Sequence, residues 1–212
     1  MPTATVPDRN RIERADNVSD VRSSSPNESP RRTLLGFVAT RRIVEIVLTL
    51  ILGVGGGLLL YGSHFGLDMV QTQLTAQNIS FPAAGSAALS PTEFPDLQQY
   101  AGQPVDNGPK AKAYADQFID VHLQSVAGGQ TYSQVSAAAQ ADPNNVKLQG
   151  EVATLFKGET LRGLLLNAWG WSVVSTIAFW SGLAALLGAL FLAITLAAGY
   201  VVHKKNQQVA TA

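Results

Sequence analysis

The stretch IVEIVLTLILGVGGGLLLY, from Ile43 to Tyr61, decides the fold, because it is a long apolar stretch whose only charged residue is Glu45 near its start. A second apolar stretch runs from Trp171 to Val202 and contains no charged residue. The hydrocarbon core of a bilayer is about 30 Å thick, and about 20 helical residues cross it. Both stretches therefore predict transmembrane helices, and the sequence predicts an all-α membrane protein.

The first stretch also contains a dense run of glycines, at positions 53, 55, 56 and 57. A dinucleotide-binding loop would need a third glycine where Leu58 stands, and a phosphate-binding P-loop would need a lysine followed by serine or threonine. Gly53 and Gly57 instead share one helix face and predict close packing of another helix. That helix is either the second span or a span of another copy. The second span offers a matching row of small residues: Ala178, Gly182, Ala185 and Ala189.

The charged residues at the ends of the two stretches predict the orientation in the membrane. Four arginines, at positions 31, 32, 41 and 42, precede the first span, and His203, Lys204 and Lys205 follow the second. The positive-inside rule then places both termini in the cytosol and the segment between the spans outside. Trp169 and Trp171 suit the outer membrane interface and Tyr200 the inner one. A cleavable signal peptide is the alternative for the first stretch, but about forty residues precede it and no clear cleavage pattern follows it.

The composition changes along the chain predict its organisation. The two ends differ in charge from the middle: residues 1–42 hold eight arginines and five acidic residues, whereas residues 64–168 hold five basic and nine acidic residues. We predict a disordered cytosolic tail (1–32), a basic juxtamembrane segment (33–42), transmembrane helix 1 (43–63), an extracytoplasmic domain (64–168), transmembrane helix 2 (169–202) and a cytosolic tail (203–212).

The predicted extracytoplasmic domain has two parts. Prolines break residues 64–109, so short extended elements are expected there, pinned to a helical scaffold by apolar anchors. Residues 110–168 are predicted to be helical, with a first helix ending at Gly128-Gly129, a second capped by Thr131, and a third beginning at Asp142-Pro143 and running toward Gly158. From Glu159 a helix is expected to continue into the second span. The apolar anchors of the first part are Phe81, Leu89, Phe94, Leu97, Tyr100 and Val105.

Few residues of the sequence suggest a catalytic or metal-binding role. The chain has no cysteine, which excludes disulfides and thiolate sites. His64 and Asp68 share a helix face and could supply two metal ligands, but the sequence offers no further ligand. His122 is expected to have a structural role in which its ring is hydrogen-bonded. Lys112 and Asp116 are expected to form an ion pair on a solvated surface. No catalytic motif and no basic nucleic-acid footprint is present. We therefore predict no catalytic, cofactor-binding or metal-binding residue, no cofactor and no nucleic-acid partner.

Three phrases in the second half of the sequence resemble a known group of proteins: YAGQPVDNGPKAKAYADQFIDVHL, TYSQVSAAAQADPNNVKLQ and ATLFKGETLRGLLLNAWGWS. Together they resemble uncharacterised two-span membrane proteins of actinobacteria, some of which bear the label of aromatic ring-opening dioxygenase. The resemblance covers about residues 30–200 and implies an actinobacterial plasma membrane. The enzyme label finds no support in this sequence, because non-haem iron needs clustered histidine and carboxylate ligands, and the three histidines are spread over the predicted compartments.

Two functions fit these observations. The first is a non-enzymatic, multi-pass plasma-membrane protein whose outward domain acts as an accessory or scaffold subunit, with the lipid bilayer and a membrane-protein partner or further copies of itself as partners. The alternative is an oligomeric small channel or transport component. A channel lines its path with polar side chains. The only candidates here are Glu45, Ser172, Ser175, Thr176, Ser181 and Thr195.

Overall fold

The computed structural model describes residues 29–210, with side-chain surroundings given for residues 40–209. Most of the predicted disordered tail (1–32) lies outside these residues. The elements, in chain order, are helix α1 (Ser29–Ala76), 3-10 turns at Ala87–Leu89 and Pro95–Tyr100, helix α2 (Gly108–Ala113), a π-helical segment (Tyr114–Ile119), and helices α3 (Asp120–Ala127), α4 (Tyr132–Ala141) and α5 (Val146–Ala210). Residues 29–210 contain no strand, only an isolated bridge between Ser80 and Pro104.

Two of the helices, α1 and α5, are long and apolar enough to cross a membrane. Their most apolar windows reach a mean hydropathy of 2.4 and 2.3, and few side chains in those windows are buried by the protein. The prediction of an all-helical chain with two candidate spans is therefore confirmed. Contacts divide the chain into two units: residues 51–191 form the larger, and the described residues on either side form the smaller.

Helix α1 is longer than the predicted span at both ends. It begins at Ser29, within the predicted tail, and runs through the basic segment without a break. It ends at Ala76, inside the region expected to be extended, because no proline occurs before Pro82 and because Val70 and Leu74 are buried one turn apart. The positive φ of Asn78, 53°, then turns the chain away from the helix axis.

Residues 77–107, the wrapping segment, share an apolar core with the last turns of α1 and with α5 turns around Leu155 and Leu165. Backbone hydrogen bonds close this segment on itself, from Phe81 N–H to Gln103 O (2.9 Å) and from Val105 N–H to Ile79 O (2.9 Å). This segment forms two 3-10 turns rather than the extended elements that were expected, and Pro95 occupies the first turn of the longer one. The predicted anchors are confirmed: Phe81, Leu89, Phe94, Leu97 and Val105 are buried and Tyr100 is half-buried in the same core.

The helix predicted before Gly128-Gly129 is present but contains a wide turn. It begins at Gly108, where the Asn107 side chain accepts a hydrogen bond from Lys110 N–H, and it ends at Gly128, whose φ is 59°. Between α2 and α3 the chain is π-helical, with Asp120 N–H donating to Ala115 O five residues earlier. The sequence pattern did not predict this wider turn, which is a common feature of functional sites.

The last two helices test three cap predictions. Thr131 caps α4 in a complete capping box with Gln134, as predicted. The prediction that Asp142-Pro143 starts the next helix is wrong by three residues, because Asp142 closes α4 and the Asn145 side chain accepts the hydrogen bond from Leu148 N–H at the start of α5. Helix α5 then continues through Gly158 without a break, and this glycine gives room to Leu123 of α3.

Candidate functional site

An aromatic cluster fills the space between the wrapping segment and the π-helical turn. The Phe81 ring stacks on Tyr100 at 5.3 Å and meets the edge of Tyr114 at 5.1 Å. Phe118 continues the cluster, 4.8 Å from Tyr114 and 5.8 Å from Phe94. Burial in this cluster raises the pKa of the Tyr114 hydroxyl above its ordinary value of 10.0. Tyr114 is therefore neutral at physiological pH and acts as a packing residue.

His122 borders this cluster on its exposed side. Its ring stacks on Phe94 at 5.6 Å, and Nδ1 lies 2.7 Å from the Phe118 carbonyl oxygen. Because a carbonyl oxygen only accepts, Nδ1–H donates this hydrogen bond. The hydrogen bond fits the structural role predicted for His122, although the residue itself is exposed. Among the described residues no group of three or more histidine or acidic side chains could hold a metal ion. His64 and Asp68 therefore have no third ligand of these types beside them in the described part of the chain.

An ion-pair cluster fastens the π-helical turn to α5. The guanidinium group of Arg162 lies 3.5 Å from Asp116, 3.3 Å from Asp120 and 3.5 Å from Glu159. Asp116 also pairs with Lys112, as the sequence predicts. The side chains of Lys112, Asp116, Asp120 and Glu159 are all partly accessible to solvent. The Nε atom of Arg162, in contrast, is buried without a hydrogen-bond partner. Sequence reasoning missed Arg162 because two of its acidic partners, Asp116 and Asp120, lie 46 and 42 residues earlier in the chain.

Replacing Arg162 with glutamine is expected to lower the free energy of unfolding by about 1–2 kcal/mol, because Asp120 loses its only ion-pair partner among the described residues. Thermal and denaturant unfolding of the detergent-solubilised protein would measure this loss. Lys147→Gln is the matched control, since the Lys147 side chain is 85% exposed and its pair with Glu151 spans 3.6 Å, so a change within about 0.5 kcal/mol is expected. Equal losses in the two variants would contradict a fastening role for Arg162.

Trp169 connects α2 to α5 instead of lying free at an interface. The Lys112 ammonium group sits 4.9 Å from the centre of the Trp169 ring, a cation–π contact. The same turn of α5 receives Gly108 of α2, where a Cβ atom would collide with the Ser172 hydroxyl. That hydroxyl donates to Trp169 O at 2.7 Å. Trp169 is half-buried by these contacts, so its part in a membrane interface stays a prediction.

The two long helices cross through a glycine that the sequence did not single out. A Cβ atom on Gly56 would lie 2.9 Å from Leu186 Cγ and 3.0 Å from Gly182 O. At Gly53 and Gly57, the residues predicted to pack, an added Cβ atom would meet nothing within 4 Å. Within one chain, Gly56, rather than Gly53 or Gly57, is therefore the glycine of α1 that packs closely against α5. Packing of Gly53 and Gly57 against another copy stays a prediction.

On α5, one residue of the predicted small row, Gly182, faces α1 directly, since an added Cβ atom there would lie 2.9 Å from Gly56 O. Gly182 and Ala189 are buried, and Ala178 and Ala185 are half-buried, at the spacing of one helix face. Two serines earlier on α5, Ser172 and Ser175, are also buried, and Ser175 abuts Gly66 of α1. The hydroxyl of Ser63 in α1 is also buried and has no hydrogen-bond partner.

The residues predicted to lie at the membrane interfaces are mostly exposed. Arg41 and Arg42 are exposed, and Arg41 Nε donates to Glu45 at 2.8 Å. At the other end of the chain Tyr200, Lys204 and Lys205 are exposed on α5, which continues past them. Trp171 is 52% exposed. Their contact with lipid stays a prediction.

Two grooves lie beside α5 in the larger unit. The first, of about 370 Å³, lies below Asp106 and Asn107 and reaches Trp169, Thr176 and Ile177. The second, of about 310 Å³, lies between the last turns of α1 and the α5 turns around Leu164. Both volumes fall at the lower end of the range for small-molecule sites.

An exposed aromatic pair lies at the far end of the domain from the apolar stretches. The rings of Tyr132 and Phe156 are 6.0 Å apart, and the two residues are 37% and 57% exposed. Along α5, Phe156 precedes Trp171 by about 23 Å. Exposed aromatic residues of this kind are typical of protein-binding surfaces.

The fold and these surfaces define an all-helical protein with two helices that are long and apolar enough to cross a membrane. No protein-family model, curated protein or solved structure matches the chain. The resemblance to actinobacterial two-span proteins therefore stays a prediction, and function has to be inferred from the geometry.

Proposed function

We propose that this protein is a non-enzymatic scaffold subunit of the plasma membrane, which presents a rigid extracytoplasmic domain to a membrane-protein partner. The observation that carries the proposal is the Tyr132 and Phe156 pair, exposed on a domain that is packed firmly onto the helices. A cell-envelope or respiratory assembly is the kind of partner we propose.

Rigidity is supported by the shared apolar core. Val70 and Leu74 of α1 and Leu155 and Leu165 of α5 are buried in the same cluster as the anchors of the wrapping segment. The domain is thus built on the continuations of both helices rather than attached through flexible linkers. The arginines before the first span and the lysines after the second support an orientation with both termini in the cytosol.

The alternative is an oligomeric small channel, and the polar side chains of the helices favour it less. Glu45 accepts a hydrogen bond from Arg41, and Ser172 and Ser175 are buried, beside Gly108 of α2 and Gly66 of α1 respectively, rather than exposed. Thr176 Oγ1 donates to Ser172 O within its own helix. Solute flux through liposomes that disappears in Glu45→Ala would favour the channel.

Crosslinking in cells tests the scaffold. A photoreactive residue replaces Thr160, which is exposed one turn from Phe156, and mass spectrometry identifies what it captures. We expect one reproducible neighbour. Its capture should fall about tenfold or more in the double variant Tyr132→Ala, Phe156→Ala, because truncation of an aromatic hot spot costs about 2 kcal/mol of binding free energy.

Phe191→Ala is the matched control, because Phe191 is exposed to a similar degree on the apolar part of α5. Capture should be unchanged in this variant. A lone monomer with no reproducible neighbour in native membranes would end the scaffold proposal, and undiminished capture in the double variant would remove the aromatic pair from it.

A further inference from the structure

The second groove, between the outer ends of α1 and α5, is apolar along its length. Its α1 wall includes Met69 and Leu74, and its α5 wall includes Leu161, Leu164 and Trp171. Leu164 is 65% exposed, although it lies on the part of α5 against which the domain packs. The groove therefore holds apolar surface that the chain itself does not cover.

The polar groups of the groove are uncharged. Its polar side-chain groups are the carboxamides of Gln73, Gln77 and Asn167 and the indole N–H of Trp171, and no lysine, arginine, aspartate or glutamate lines it. The first groove differs in this respect, because Asp106 lies in its wall. A water-soluble ionic ligand would find no counter-charge in the second groove, whereas a hydrocarbon chain that ends in an ester or hydroxyl group would find both an apolar wall and hydrogen-bonding partners.

The groove continues into the apolar stretches of both helices. On α5, Trp171 is followed one turn later by Val174, which is also exposed. On α1, the residues one and two turns before Met69 are Phe65, which is exposed, and Gly62, where an added Cβ atom would meet nothing within 4 Å. An open apolar path thus joins the groove to the surface that a bilayer would cover.

We propose that this groove takes an acyl chain of a membrane lipid, with the uncharged linkage of the lipid at the carboxamides and its head group in water. The proposal rests on the membrane insertion in the proposed function but not on the protein partner. It places a lipid site at the base of the scaffold, between the two helices that carry the domain.

Photolabelling in bilayers tests the site. The full chain is reconstituted in vesicles of phosphatidylethanolamine and phosphatidylglycerol that contain a phosphatidylglycerol with a diazirine in one acyl chain. We expect labelled peptides from residues 69–79 and 161–171 in addition to the spans. A zwitterionic phosphatidylcholine carrying the same diazirine should label these peptides equally, because the groove has no charge with which to select a head group.

Two variants disrupt the groove, one by filling it and one by removing part of its apolar wall, and each has a matched control. Ala168→Phe fills it, and Ala193→Phe makes the same change on an exposed position of α5. Leu164→Ser removes an exposed wall residue and spares the core, with Leu187→Ser as its control. Groove labelling should fall at least about fivefold in Ala168→Phe and Leu164→Ser, and it should not change in the controls.

Each outcome has a distinct meaning. Spans labelled with the groove peptides unlabelled, or groove labelling unaffected by both variants, would overturn the lipid site while leaving the membrane protein intact. A crosslink between two copies through the groove would also overturn it and assign the groove to self-association. Absence of label from both spans would refute membrane insertion, and the lipid site would fall with it.

Discussion

Replacing Gly182 with leucine is expected to lower the free energy of unfolding by about 3 kcal/mol, at the upper end of the usual cost of overpacking. An added Cβ atom would lie 2.9 Å from Gly56 O and 3.1 Å from Leu59 Cβ. The nearest atom belongs to the backbone, so the two helices have to separate to admit the side chain. Helices in lipid associate chiefly through close packing, and the separation would remove the contacts that hold them.

Unfolding in detergent and cysteine crosslinking would measure this effect. The chain has no natural cysteine, so the pair Leu52→Cys and Gly188→Cys reports on the crossing alone, where these side chains would meet. Crosslinking should be efficient in the parent and weak in Gly182→Leu. Gly53→Leu is the control, because its added side chain enters open space. If crosslinking were lost in Gly53→Leu and retained in Gly182→Leu, α1 would contact α5 through the face that carries Gly53 and not through the face described above.

Replacing Leu155 with alanine is expected to lower the free energy of unfolding by about 2–5 kcal/mol, the cost of a cavity in a packed core. Leu155 is 2% exposed and belongs to the cluster that α5 shares with the wrapping segment. Denaturant unfolding followed by tryptophan fluorescence is a suitable measurement, because Trp169 lies where α2 meets α5.

The next residue in the chain supplies the control for this cavity. Phe156→Ala removes a larger side chain from an exposed position and should change stability by less than about 1 kcal/mol. This contrast also separates stability from binding, since the same variant is expected to weaken capture of the partner. If Phe156→Ala proved as destabilising as Leu155→Ala, the aromatic pair would belong to the core and would no longer indicate a docking surface.

The candidate spans could be predicted from the sequence because apolar length is a property of the chain alone. The anchors from Phe81 to Val105 could be predicted for a similar reason, since large apolar residues in a polar, proline-rich segment need a surface to cover them. The cap at Thr131 followed from local hydrogen bonding, which depends on residues three positions apart.

The helix crossing could not be predicted at the level of single residues. Exposed and buried positions of α1 are similarly apolar, so no periodicity shows how the helix is rotated, and the choice among Gly53, Gly56 and Gly57 depends on that rotation. The role of Arg162 depends on tertiary contacts with Asp116 and Asp120, which no local pattern reveals. The start of α5 was missed because Asp142-Pro143 and Asn145 both carry cap signals, and packing against α4 decided between them.

The π-helical turn has a consequence for how the domain tolerates insertions and deletions. It accommodates one more residue than a regular helix would between α2 and α3. Deleting one residue from it would restore a regular α-helix without turning α3 about its axis, because the wide turn absorbs the extra residue locally. Asp120 would keep its place beside Arg162, and Leu123 its place beside Gly158. A deletion inside α3 would instead turn the residues after it by about 100°, so the π-helical turn is the point of this helix where chain length can change at the least structural cost.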